Sequence, residues 1–184
     1  TGYKICLFKK EGTLTSIIPL CTYLTYGFHI SGYTPSKMIN VIKIKNIKLL
    51  YDNLPLLKHK FDCVIIPNVN DFMAINDIHI YGIVNMQQIY CLFFFRNTYS
   101  KINGIDTVEC FASINNTDAD IFYQSFLGCI MTHFIDKILI IEDISDNTIL
   151  VNNLQNHIKI KFKSPTGYYF YNYGIKPILP NKLF

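Results

Sequence analysis

"KKEGTLTS", residues 9–16, follows the apolar run that opens the chain at Tyr3-Lys4-Ile5-Cys6-Leu7. In a chain with only nine glycines, it places Glu11-Gly12-Thr13 at the end of the first expected strand. In open α/β proteins ligands bind at that junction, because strand ends and helix N-termini converge there. Beyond it, Ile17, Leu20, Cys21, Leu24 and Phe28 recur at helical spacing. Thr15 or Ser16 can cap such a helix, and Pro19 falls in or near its tolerated first turn. The opening reads as strand, turn, helix, and that reading sets the expected fold class as α/β.

Working outward, Val41 to Ile44 is expected as a second strand, and Ile47 to Lys58 as a helix broken near Pro55. Cys63-Val64-Ile65-Ile66 is an unbroken apolar run that suits a buried parallel strand and ends at Pro67. Ile78 to Tyr81, Ile89 to Phe95 and Thr107 to Phe111 are rich in β-branched and aromatic residues and read as strands. Asn116-Thr117-Asp118 caps a helix whose apolar positions include Ile121, Phe122, Phe126 and Ile130. A strand at Ile138 to Ile141, a short helix through Leu154 and an alternating stretch from His157 to Lys163 complete the pattern. The three lysines of that last stretch share one face with no stacking aromatics between them, which marks a solvated face and not a nucleic-acid stripe.

Composition narrows the function classes. The 17 basic and 13 acidic residues leave a formal charge of +4 spread along the chain, too mild to imply a nucleic-acid partner. Trp is absent, Arg occurs only at Arg96, and Ile, Asn, Lys, Tyr and Phe are abundant, the mark of an AT-rich coding sequence. Six scattered cysteines without a CxxC pair read as reduced thiols, so a cytoplasmic location is expected. No signal-peptide pattern opens the chain. Residues 12–36 carry no charged side chain, but their Thr, Ser, Gly and Pro content disfavours a lipid-facing helix, so no membrane partner is expected. The five histidines fall outside metal-ligand spacing, and Asn115 to Asp120 lacks the glycine and glutamate of a calcium loop. No metal site is expected, and no GxSxG, P-loop or GxGxxG motif occurs.

The segment Lys4 to Thr15 resembles the opening of prephenate dehydratases, whose pattern runs roughly KIAYLGPEGTFS. Phe61 to Asp71 resembles that family's DYAVVPIENS, and Ala74-Ile75-Asn76-Asp77 follows as its A-I-N-D does. Ile80 to Leu92, Thr107 to Ser113 and Tyr173-Gly174-Ile175 match further motifs in the same order, so the resemblance spans nearly the whole chain.

The resemblance implies a two-lobed fold like the type 2 periplasmic binding proteins, with a cleft between lobes. Residues 1–77 and 165–184 would form the first lobe and 78–164 the second. It implies a lyase of phenylalanine biosynthesis that converts prephenate to phenylpyruvate, water and carbon dioxide, with no cofactor, a small dicarboxylate substrate and a homodimeric assembly. Thr13 and Asn70 match polar cleft positions and become the expected catalytic residues, with Gly12, Cys110, Thr117, Ser145 and Thr148 as expected substrate contacts. Their structural alternatives are helix caps at Thr13, Thr117, Ser145 and Thr148, a turn at Asn70 and a buried thiol at Cys110. The family's serine and histidine fall on Cys110 and Phe111, and its T-R-F segment and regulatory ACT domain have no counterpart. Those departures leave a second expectation from another class: a non-catalytic small-anion-binding or scaffold protein of the same fold.

Overall fold

The computed structural model describes residues 6–10, 13–66, 68–75, 77–85, 88–171 and 176–184. Its framework is one mixed eight-stranded sheet. The strands are β1 (Cys6–Lys10), β2 (Thr13–His29), β3 (Ile42–Lys43), β4 (Ile78–Asn85), β5 (Gln88–Ile102), β6 (Ile105–Asn115), β7 (Ile138–Glu142) and β8 (Ile160–Tyr171). Their order is β1-β2-β7-β6-β5-β4-β3, with β8 pairing β2 as well. Among the described residues five α-helices accompany them: α1 (Lys48–Asp52), α2 (Leu54–Lys60), α3 (Val69–Ala74), α4 (Ala119–His133) and α5 (Asn147–His157).

This sheet replaces the expected pair of α/β lobes around a cleft, and the decisive difference is at β2. Residues expected as a helix form a strand of 17 residues. Ile, Thr, Tyr and Phe dominate the segment, and such side chains lose little freedom on a pleated surface but crowd a helix. The wider surroundings then decide: β2 pairs β8 from Ile17 to Phe28, while its other edge pairs β1 from Thr13 to Ile17 and β7 from Thr25 to His29. Pro19, which has no N–H to give, sits beside a register shift in the β8 pairing, a place where a strand tolerates it. Cys63 to Ile66 is likewise no buried strand. Its ordered pairing is a single bridge from Cys63 to Leu183, and Ile65 is exposed.

Apolar cores pack on both faces of the sheet. On one face Tyr26, Phe28, Phe93, Phe95, Val108, Cys110 and Ile141 pack against Phe122, Phe126 and Ile130 of α4 and Leu150 and Leu154 of α5. On the other, Ile80, Leu92, Phe94 and Ile114 pack against Leu50, Leu57 and Phe72 of the three short helices. The expected cap of α4 is present, since Asp118 Oδ1 accepts from Ile121 N at 2.8 Å. Helix α4 joins β6 to β7, and these two strands run parallel over Thr107 to Cys110. Past Cys110 they stop pairing, and the turn after β7 fills the opening. Ser145 Oγ accepts from Ser113 N at 3.1 Å, and Asp146 Oδ2 from Asn115 N at 2.7 Å. Asn147 closes the base of the opening by donating to the carbonyls of Cys110 and Glu142.

The segment between β2 and β3 crosses α4 at Gly128, where Ile39 N donates to Gln124 O at 3.1 Å. A methyl group at Gly128 would overlap the Ile39 carbonyl oxygen. In an open helix Gly→Ala gains about 1 kcal/mol. Here overpacking reverses the sign: Gly128→Ala is expected to lose roughly 1–3 kcal/mol, read as a lower denaturant midpoint at unchanged slope.

Candidate functional site

Five neighbouring strands, in the order β5-β6-β7-β2-β8, each send one polar side chain toward a common patch: Arg96, Glu109, Glu142, Tyr23 and Tyr168. Register brings them together. Arg96 lies directly opposite Glu109, Glu142 opposite Thr25, and Tyr23 two residues along from Thr25. A bulge shapes the β6 contribution. Phe94 pairs Ala112 and Phe95 pairs Cys110, so Phe111 is an extra residue on β6. Before it, Val108 and Cys110 face α4 and α5, leaving Glu109 for the opposite face. After it, Ala112 and Ile114 face the core beneath the short helices. One strand thereby supplies a carboxylate and an apolar wall on the same side.

The Arg96 Nε–H donates to Glu109 Oε2, and its Nη2 stands 3.9 Å from Glu142 Oε1. Its guanidinium also lies over the Phe111 ring, 5.4 Å from the centroid. The Arg96 side chain is 50% exposed, whereas those of Glu109 and Glu142 are 11% and 8% exposed. A single half-solvated cation therefore serves two buried acids. Burial pushes the Glu142 carboxyl up from its ordinary 4.5 to about 7, and the adjacent Glu109 adds to the rise. Arg96 and the Tyr23 hydroxyl pull the other way. Glu142 Oε2 is buried without a hydrogen bond of ordinary geometry. The Tyr23 and Tyr168 rings stack at 5.7 Å, and burial next to Glu142 raises both phenols.

Beside this row lies an apolar cavity of about 180 Å³, walled by Leu50, Phe72, Phe94, Phe111, Tyr168 and Phe184 among others. Tyr168 belongs to both features and the cavity residue Phe111 lies under the Arg96 guanidinium, so the row adjoins an apolar hollow. Such a place suits a ligand with a charged end and a greasy body. Among the described residues no cluster of His, Cys, Asp and Glu is suited to a metal ion.

The residues expected from sequence are distributed differently. Gly12 lies outside the described residues, and Thr13 begins β2, where it pairs Lys10 in a strand and no helix starts. Asn70 is exposed in the first turn of α3. The Thr117 N–H donates to Asn115 Oδ1 just before α4. Cys110, Ser145 and Thr148 do gather, around the opening between β6 and β7. The Cys110 thiol donates to Asn147 Oδ1 at 3.6 Å, and the Thr148 hydroxyl donates to the Ser145 carbonyl at 3.4 Å. Burial pushes the Cys110 thiol well up, which keeps it un-ionised. The row of Arg96, Glu109, Glu142, Tyr23 and Tyr168 was missed. Its signal was a carboxylate inside each of two apolar strands, Thr107-Val108-Glu109-Cys110-Phe111 and Ile138-Leu139-Ile140-Ile141-Glu142, together with the chain's sole arginine.

No protein-family model and no curated protein sequence matches the chain. Solved structures do. Two of Saccharomyces cerevisiae N-myristoyltransferase with bound myristoyl-CoA superpose with a TM-score of 0.59 at 15% identity. They cover 88% of this chain and 53% and 50% of theirs. A third, holding myristoyl-CoA and inhibitors, gives 0.60 at 13% identity over 90% of this chain and 53% of that one. The fold resembles that of part of N-myristoyltransferase, and the chain spans about half the length of the structures it matches. The resemblance to prephenate dehydratases is thereby overturned, together with its periplasmic-binding-protein-like fold and its lyase of phenylalanine biosynthesis. The non-catalytic anion-binding or scaffold alternative rested on that same fold and falls with it. No described helix is long and apolar enough to cross a membrane.

The raised Glu142 carboxyl makes stability depend on pH in a defined direction. The unfolded chain loses this proton near 4.5 and the folded one near 7, so the folded state binds more protons between those values. The stability Glu142 contributes is complete below about 4.5 and is lost as pH rises to about 7. Glu142→Gln is expected to flatten that part of the stability profile, measured by urea denaturation across this range. An unchanged slope would contradict the assignment.

Proposed function

We propose that this chain is part of an N-acyltransferase that moves an acyl group from a thioester such as acyl-CoA to a primary amine, and that it presents the amine side of the reaction. The single observation that carries the reading is the superposition on N-myristoyltransferase with the buried Glu142 set beside an apolar cavity. Amine acylation needs a neutral nitrogen. A carboxyl poised at about 7 can take a proton from an ammonium group near neutral pH, the condition for effective general-base catalysis. The amine nitrogen then attacks the thioester carbonyl carbon, the C–S bond breaks, and the amide forms. The second nitrogen proton goes to the departing thiolate and Glu142 releases the first to solvent, so Glu142 ends the cycle as it began.

The size of the cavity supports the amine side. At about 180 Å³ it is smaller than the roughly 300 Å³ at which pockets for whole small molecules begin, and it matches a side-chain-sized apolar group. Cysteines 21, 63, 91, 110 and 129 are free thiols, which supports a reducing, cytoplasmic setting for this chemistry.

The test is to supply the purified protein with acyl-CoA donors of increasing chain length and peptides bearing a free α-amine, and to follow release of free thiol. Transfer is expected, with Glu142→Gln slower by roughly a hundredfold and melting no lower than wild type. No thiol release with any donor and amine pair, from protein of confirmed fold, would overturn the reading.

A further inference from the structure

Charge within the row does not balance. Among the described residues Arg96 is the one cation acting on Glu142. From the elements packed around that carboxyl come Glu109 of β6, Tyr23 of β2 and Tyr168 of β8, none of which is positive. Two carboxylates buried beside one guanidinium leave one negative charge uncompensated, and a low-polarity interior penalises that heavily. In the free protein a proton on Glu142 removes the excess. Glu142 Oε2 is buried without a hydrogen bond of ordinary geometry, and Glu109 and the Tyr23 hydroxyl are polar groups acting on the carboxyl.

We propose that this row is a binding site for a primary ammonium group carrying an apolar tail, and that docking of the ammonium ionises Glu142. The ammonium sits against Glu142, and its tail enters the cavity between Phe111 and Tyr168. The ligand's charge takes the place of the proton, so two cations then face two carboxylates. The row remains neutral throughout: one proton passes to solvent for each ammonium bound in the protonated state. Arg96 stays on Glu109, held by their hydrogen bond and by the Phe111 ring.

The inference rests on the acyl-transfer reading for its biological role, since an incoming ammonium would create the carboxylate that later deprotonates it. As a statement about binding it stands without that reading. A carboxylate ligand is disfavoured, since it would add a third negative charge beside Glu142.

n-Hexylamine is the probe, with n-hexanol as its neutral counterpart. Calorimetric titration at about pH 7 in two buffers of different ionisation enthalpy gives the protons released per amine bound. Proton release is expected near and below neutral pH, where burial keeps Glu142 partly protonated, and it should fall away as pH rises past that range. Glu142→Gln is expected to weaken hexylamine binding about tenfold or more while leaving hexanol unchanged. In Glu109→Gln, hexylamine should still bind but release fewer protons at about pH 7, since a neighbouring negative charge has gone. If the Gln variant of Glu142 does not fold, infrared difference spectra of the wild-type protein give the same answer, as loss of a protonated-carboxyl stretch on adding amine. Absence of hexylamine binding, binding without proton release, or equal affinity in folded Glu142→Gln would each overturn the proposal. Binding with proton release but no thiol release from any acyl donor would sustain this site and remove the transferase reading.

Discussion

The long strand β2 has to satisfy hydrogen-bonding partners on both edges, and much of the architecture follows from how it does so. One edge is taken by β8 and the other is divided between β1 and β7. Without β2, strands β8 and β1 lose their sheet partner, and β7 loses one of its two. Placement of β2 beside β7 also brings Tyr23 near Glu142, so the backbone pairing that holds the sheet together also assembles the polar row.

The same strand marks the limit of what could be read from the sequence. Apolar residues at 17, 20, 21, 24 and 28 fit a helix in spacing, yet the β-branched and aromatic residues between them favour a strand once a sheet is present on both sides. Tertiary pairing decided between two local patterns that were both present. By contrast, α4 was legible from its cap at Asp118 and its period through Phe122, Phe126 and Ile130, because those signals are local. Strands β4 to β7 were legible as apolar runs, though their ends and the bulge at Phe111 were not. A bulge depends on the partner strand, and nothing in β6 alone announces it.

The functional row was hidden for a related reason. Its five side chains come from five strands scattered between residues 23 and 168, and no motif can encode a row that exists only across hydrogen-bonded neighbours. What the sequence did contain was an anomaly. Glu109 and Glu142 lie in runs that otherwise ask for full burial, and a buried acid requires compensation. Arg96 provides half of it. The remaining imbalance links fold to chemistry, because it sets the proton affinity of Glu142 and leaves a place for a second positive charge. Short motif matches such as Glu11-Gly12-Thr13 carried no comparable physical demand, and the resemblance built on them did not survive the sheet.

The state of Glu142 is the central claim, and it is measured most directly by carbon-13 NMR of the side-chain carboxyl carbons through a pH titration, with Glu142→Gln to assign the resonance. The account predicts a carboxyl that titrates near 7 and disappears in the variant. A Glu142 resonance titrating in the ordinary glutamate range, about 4.5, would contradict it, since the uncompensated burial on which the site depends would then be absent.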